Sequence, residues 1–124
     1  IDRLAGRHAI NRSCLAAGKP LLSAAASRFE GQVALFRPGV SGYPCYACLV
    51  PEGTEEDGLC SRDGVLGPVV GTVGALAALE AIKFICGVKP SLDKSLLVAQ
   101  LKEGTVRRIA LEQDPSCPVC AKSA

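Results

Sequence analysis

The chain has 124 residues, 48% hydrophobic and 21% charged, a globular composition that excludes a disordered or fibrous chain. At roughly 100–200 residues per domain, residues 1–124 belong to a single domain. Lys plus Arg number 14 against 12 Asp plus Glu, a net charge of +2, which is too balanced for binding nucleic acid through its phosphates.

The sequence contains no Met, so a chain beginning at Ile1 is expected to be part of a longer or processed protein. Residues 3–17 carry no Pro and mix Leu4, Ile10, Cys14 and Leu15 with Arg3, Arg7, Asn11 and Arg12. That pattern predicts an amphipathic helix ended by Gly18 and Pro20. Leu21–Ala26 is an apolar run of strand length, expected to be buried, and Gln32–Phe36 is a second strand stopped by Pro38-Gly39. Pro51 to Asp63, with Glu52, Glu55, Glu56 and Asp57, reads as an acidic surface loop. Val69–Cys86 is the clearest helix. It is apolar nearly all round and so expected to be buried, with Thr72, Glu80 and Lys83 on one side. Gly67, Gly71, Gly74 and Ala78 offer it a flat face for close packing. Leu96–Leu101 and Val106–Leu111 then predict two strands joined by a turn at Lys102-Glu103-Gly104-Thr105.

These elements predict an α/β layer with antiparallel pieces. No secretory signal opens the chain. The longest uncharged run, Gly64 to Leu79, is shorter than the roughly 18–20 residues of a membrane-spanning helix. A soluble, cytoplasmic protein that engages neither membrane nor nucleic acid is expected. Neither G-x-G-x-x-G nor G-x-x-x-x-G-K-[ST] occurs, so the chain shows no phosphate cradle of its own.

Seven cysteines carry most of the chemistry. Cys45-Tyr46-Ala47-Cys48 and Cys117-Pro118-Val119-Cys120 are two C-x-x-C knuckles, able to place four thiolates around a structural zinc ion with no position left open for catalysis. Cys45 and Cys117 lie 72 positions apart, so the metal would clip a distant tail onto the domain. The alternatives for the four are unpaired buried cysteines or a redox pair. Cys60 stands alone in the acidic loop, near Arg62, and is either a reactive thiol or a small packed residue. Cys14 and Cys86 fall in predicted helices, where packing is the expected role. His8, the only histidine, is a surface or capping group or the partner of a catalytic cysteine. Asp2 is a helix N-cap or a ligand near a metal-bound phosphate.

Several of these stretches recur together in one family. They are Asp2 with Arg7-x-x-x-Asn11, residues 25–32 (AASRFEGQ), Pro44-Cys45-Tyr46-Ala47-Cys48-Leu49, and Cys60 leading into residues 64–71 (GVLGPVVG). Leu79-Glu80-Ala81-Ile82-Lys83 and Cys117-Pro118-Val119-Cys120 complete the set. In order and spacing the whole chain resembles the C-terminal half of a ThiF/MoeB/HesA adenylyltransferase, a relative of ubiquitin-activating enzymes.

The resemblance implies the C-terminal part of a Rossmann-like adenylation domain, with a mixed sheet and helices. It implies ATP- and Mg²⁺-dependent adenylation of the C-terminal Gly-Gly carboxylate of a ubiquitin-like sulfur-carrier protein, for molybdopterin- or thiamine-type sulfur transfer. By the same resemblance Asp2 lies near the Mg²⁺–ATP phosphates. Cys45, Cys48, Cys117 and Cys120 ligate zinc, and Cys60 is the loop cysteine that bonds to the carrier or its sulfur donor in some members. The nucleotide loop and the catalytic arginine and lysine would lie upstream of Ile1, and the full-length form would be a homodimer. On that basis this chain by itself is expected to be inactive. The alternative is a truncated, non-catalytic homologue that binds a ubiquitin-like protein through a zinc-stabilised module.

Overall fold

A computed structural model describes residues 3–55 and 64–121, with the expected elements in the expected order. Helix α1 (Leu4–Ala17) stops where Gly18 adopts a φ of 64° and donates back to Leu15 O. Glycine reaches that left-handed conformation without a side-chain penalty. Strands β1 (Leu21–Ser27) and β2 (Glu30–Phe36) follow as an antiparallel hairpin, Leu21 opposite Phe36 and Ser27 opposite Glu30. A short helix α2 (Tyr46–Leu49) and a long helix α3 (Gly67–Ile85) separate this hairpin from a second, β3 (Ser95–Gln100) and β4 (Thr105–Ala110). Val33 pairs with Leu97 and Gly31 with Ala99, which joins the hairpins into one four-stranded sheet of order β1-β2-β3-β4. Among the described residues every strand pair is antiparallel, and parallel bridging is confined to Arg28 with Val65 and Leu35 with Asp93.

Strand alternation sorts the side chains onto two faces. On one, Val33 and Leu35 pack with Val69 and Val73 of α3 and with Leu92. On the other, Ala34, Phe36, Leu96 and Val98 receive the ring of Tyr46 from α2. Cys45, Ala47, Cys117, Val119 and Cys120 make a third cluster beside it. The sheet thus holds its long helix on one face and the cysteine-bearing segments on the other.

Several expectations are corrected. Helix α3 is not buried all round: Val69, Val73 and Glu80 are buried, but Leu79, Ile82 and Ile85 are exposed. A single sheet covers one stripe of a helix, and the described residues supply no second layer. A Cβ on Gly67, Gly71 or Gly74 would meet no heavy atom within 4 Å, so that small-residue face packs against nothing among the described residues. Strand β1 is half-buried throughout rather than buried, because it is an edge strand; β4, the opposite edge, is exposed along its length. Cys86 sits at the C-cap of α3 and is exposed, whereas Cys14 is half-buried within α1. By length and composition alone, α3 is also long and apolar enough to cross a membrane, with a mean hydropathy of 1.6. The uncharged-run criterion missed this because the helix continues through Glu80 and Lys83. Its packing on β1 and β2 makes it a layer of the domain.

Glu80 turns inward rather than lying on a polar side. Its carboxylate accepts from Lys83 Nζ at 2.8 Å and from the Leu92 N–H at 3.2 Å, while Lys83 also donates to Ser91 Oγ at 2.6 Å. These bonds fasten α3 to the segment entering β3. Burial acts to raise the Glu80 carboxyl, but the bonds from Lys83 and Leu92 outweigh it and hold the group below the ordinary 4.5. A depressed folded value contributes stability that is present above the unfolded pKa and lost as pH falls through the folded one. Glu80→Gln is expected to cost about 1–2 kcal/mol at neutral pH, since Lys83 is 24% exposed and screened by solvent. Urea unfolding of both proteins should show the difference shrinking as pH falls below 4.5.

Candidate metal centre

The first knuckle is built on α2, a single turn too short to persist alone. Cys45 precedes it in extended backbone (φ −109°) and caps it: its side chain accepts from the Cys48 N–H, and the Cys48 side chain accepts from the Cys45 N–H. The Tyr46 N–H, which has no partner within the helix, donates to Asn11 Oδ1 at 3.0 Å. The second knuckle is a tight turn, in which the Cys117 N–H donates to Asp114 O at 3.0 Å and the Ser116 N–H to Asp114 Oδ1 at 2.9 Å. Asp114 N–H also reaches Cys48 Sγ at 3.4 Å, and Gln113 Nε2 donates to Cys120 Sγ at 3.5 Å. The Asp114 N–H···S bond joins the second knuckle to the first, beside their apolar contact, while Gln113 braces Cys120 from within its own segment.

The four sulfur atoms converge. Cys45 Sγ lies 3.8 Å from Cys117 Sγ, Cys48 Sγ lies 3.5 Å from Cys120 Sγ, and all four lie within 4.8 Å of one another. Zinc–sulfur bonds of about 2.3 Å in a tetrahedron put neighbouring sulfurs about 3.8 Å apart. A disulfide needs about 2.05 Å. The spacing matches a shared ion and not a disulfide, and the described cysteines are all free thiols. Three of the four are buried and Cys48 is half-buried, as a closed structural site requires. Burial pushes the Cys48 and Cys120 thiols up. Burial also acts to raise Cys117, but the N–H groups of Cys120 and Val119 outweigh it and hold this thiol below its ordinary value. A bound divalent ion deprotonates such thiols outright. The donor set fits zinc.

Around this centre the structure places residues whose roles differ from those the sequence pattern suggested or that it left without one. Asn11 is 0% exposed and bonds both Cys45 and Tyr46. Its only signal in the sequence was the Arg7-x-x-x-Asn11 spacing. His8 is neither a surface nor a capping group: it is buried, its ring edge-on to Tyr46 at 5.2 Å and its Nδ1 4.0 Å from Glu52 Oε1. Burial raises the Tyr46 phenol, which Arg7 partly offsets. Arg12 grips Glu52 through two bonds of 2.7 and 2.6 Å, which hold the Glu52 carboxyl below its ordinary value. Helix α1 is thus fastened to the segment after the first knuckle. Asp2 and Cys60 lie outside the described residues, and with Cys60 the alternative of a Cys–His pair.

The fold is shared with solved structures of Escherichia coli MccB. Escherichia coli MccB with ATP superposes with a TM-score of 0.69 at 24% identity, over 90% of this chain and 35% of that one. MccB with AMPCPP and selenomethionyl MccA gives 0.74 at 22% identity, over 95% and 37%. The chain belongs to the ThiF family, whose model matches residues 1–119. It is 40% identical to the pig (Sus scrofa) adenylyltransferase and sulfurtransferase MOCS3, over 98% of this chain and 27% of that protein. To the sulfur carrier protein ThiS adenylyltransferase of Escherichia coli K12 it is 39% identical, over 98% and 48%. The chain therefore spans between about a quarter and a half of the curated relatives it matches.

Proposed function

We propose that this chain is the C-terminal portion of an adenylyltransferase that activates a ubiquitin-like sulfur-carrier protein in the cytoplasm. The observation that carries the reading is the 39–40% identity, across 98% of the chain, to proteins named for adenylyl transfer and, in one case, for the ThiS carrier. In the proposed reaction a C-terminal carboxylate oxygen of the carrier attacks the α-phosphorus of ATP. An acyl–phosphate bond forms, the α–β phosphoanhydride breaks, and pyrophosphate leaves. A sulfur nucleophile then displaces AMP from the acyl carbon.

Within this reading Cys45, Cys48, Cys117 and Cys120 hold one zinc ion in a closed, structural site. Four thiolates leave no open position for substrate. Asp2 holds Mg²⁺ at the ATP phosphates, Cys60 supplies the thiol of the transfer step, and the full-length protein works as a homodimer. Full-length protein is expected to catalyse carrier-dependent ATP–pyrophosphate exchange, abolished by Asp2→Asn. Cys60→Ser is expected to leave exchange intact and remove sulfur transfer. Carrier binding without any exchange would overturn the enzymatic reading in favour of a binding module.

A further inference from the structure

We propose that Asn11 is a positioning residue of the Cys₄ centre and that it transmits metal occupancy to helix α1. The proposal rests on the reading of the four cysteines as a zinc site.

The geometry of the amide carries the argument. Asn11 is fully buried. Its Oδ1 accepts the Tyr46 N–H at 3.0 Å, and its Nδ2 donates to Cys45 Sγ at 3.5 Å. The two bonds fix the orientation of the group. Flipped, it would set a carbonyl oxygen against a sulfur and an NH₂ against an N–H. A sulfur that must accept a hydrogen bond is favoured as the metal-bound thiolate, so the side chain is complementary to the loaded centre. A donor of this kind aligns a ligand and tunes its basicity, and loss of such a partner typically weakens metal binding 10–100-fold.

Asn11 differs from the other sulfur donors in where it is anchored. Cys45, Asp114 and Gln113 donate to the cluster from the knuckle and tail segments that the metal clips together. Asn11 is on α1, 34 positions before Cys45. The same helix turns Arg7, one helical turn earlier, to donate to Ala24 O on β1 at 3.3 Å. Residues four apart share a helix face, so Arg7 and Asn11 pin one stripe of α1, the first to the sheet and the second to the metal centre. With the centre empty the Cys45 sulfur is no longer fixed by the ion, and the Nδ2–Sγ bond that ties α1 to the centre loosens, leaving Asn11 held by the Tyr46 N–H alone.

The test uses full-length protein loaded with one equivalent of zinc, and compares Asn11→Asp and Asn11→Ser with the wild type. Zinc release into a chromophoric chelator is expected to accelerate 10–100-fold in Asn11→Asp, which places a carboxylate oxygen against the thiolate. In cobalt-substituted protein the sulfur-to-cobalt charge-transfer band is expected to shift in both Asn11→Asp and Asn11→Ser, since each lacks the Nδ2 donor to Cys45, a signature that general destabilisation does not produce. Hydrogen exchange of the wild-type protein with and without zinc tests the coupling with no substitution at all. Protection of the α1 amides should fall when zinc is removed. Release within twofold of wild type in Asn11→Asp, or α1 protection indifferent to zinc, would overturn the proposal. Wild-type protein that fails to hold one zinc ion would overturn the metal reading instead.

Discussion

Cys117→Ser is expected to unfasten the C-terminal segment from the domain rather than merely to weaken it. The segment from Leu111 to Ala121 contains no regular helix or strand. It is held by Cys117, Val119 and Cys120 in the cluster with Cys45 and Ala47, by the Asp114 N–H on Cys48 Sγ, by the Gly42 N–H on Gln113 Oε1 and by the Leu111 N–H on Lys94 O. From Asp114 onward these contacts converge on the sulfurs. Structural zinc in thiolate-rich sites is bound by roughly 10–16 kcal/mol, comparable with the whole stability of a domain, about 5–15 kcal/mol. A three-thiolate remnant keeps only part of that and opens the site to water and chelators. The α2 turn, too short to stand by itself, should melt with the tail. Its release would expose the sheet face on which Tyr46 packs against Phe36, with ring centroids 5.9 Å apart. Limited proteolysis and zinc stoichiometry should show the tail cleaved and less than one equivalent of metal retained. A protected tail without metal would mean that apolar packing alone holds it.

Gly31→Ala is expected to destabilise the fold by about 1–3 kcal/mol although it adds one methyl group. Gly31 lies on β2 between Ala26 of β1 and Ala99 of β3. This row of small residues forms a saddle across the sheet, and Val73 of α3 sits in it. A Cβ at position 31 would overlap Val73 Cγ2 and stand 3.4 Å from Val73 Cβ. The valine cannot swing away cheaply, because a β-branched side chain in a helix has essentially one χ1 state. The helix must therefore lift, and with it the contacts of Val69 and Val73 with Val33 and Leu35. Pairing the substitution with Val73→Ala makes the room. The double variant should be more stable than the sum of the two single effects by about 0.5–3 kcal/mol. Strict additivity in thermal unfolding would show that the overlap is relieved elsewhere.

Much of this architecture was legible in the residue pattern because local signals and tertiary packing agree there. Gly18 and Pro20 mark the end of α1, Gly87 and Pro90 follow α3, and the second hairpin carries Gly104 where the chain reverses, whereas the first reverses at Arg28-Phe29 without a turn residue. The two C-x-x-C knuckles were legible as one centre because few other arrangements use four cysteines at that spacing. What stayed hidden depended on which surfaces meet. The apolar circumference of α3 suggests burial on all sides, yet only the stripe of Val69, Val73, Leu76, Ala77 and Phe84 packs into the core beside the sheet. Helix α2 has no periodicity to detect, since capping by its own cysteines and by Asn11 holds its single turn together. His8 and Glu80 have ordinary polar identities, and only their positions under Tyr46 and beside Lys83 turn them inward.

The wide separation of the knuckles makes the domain tolerant of change in length. Ligands from Cys45 to Cys117 enclose a ring of chain 72 positions around, which contains α3 and the second hairpin. Closure entropy rises only with the logarithm of ring size, about 0.6 kcal/mol for each doubling. A ring this large is therefore only about 1–2 kcal/mol harder to close than that of a compact zinc finger. Lengthening it further at an exposed stretch such as residues 51–55 would add a few tenths more. The clasp leaves evolution free to splice segments into the ring while the sheet, the helix and the sulfurs stay in register.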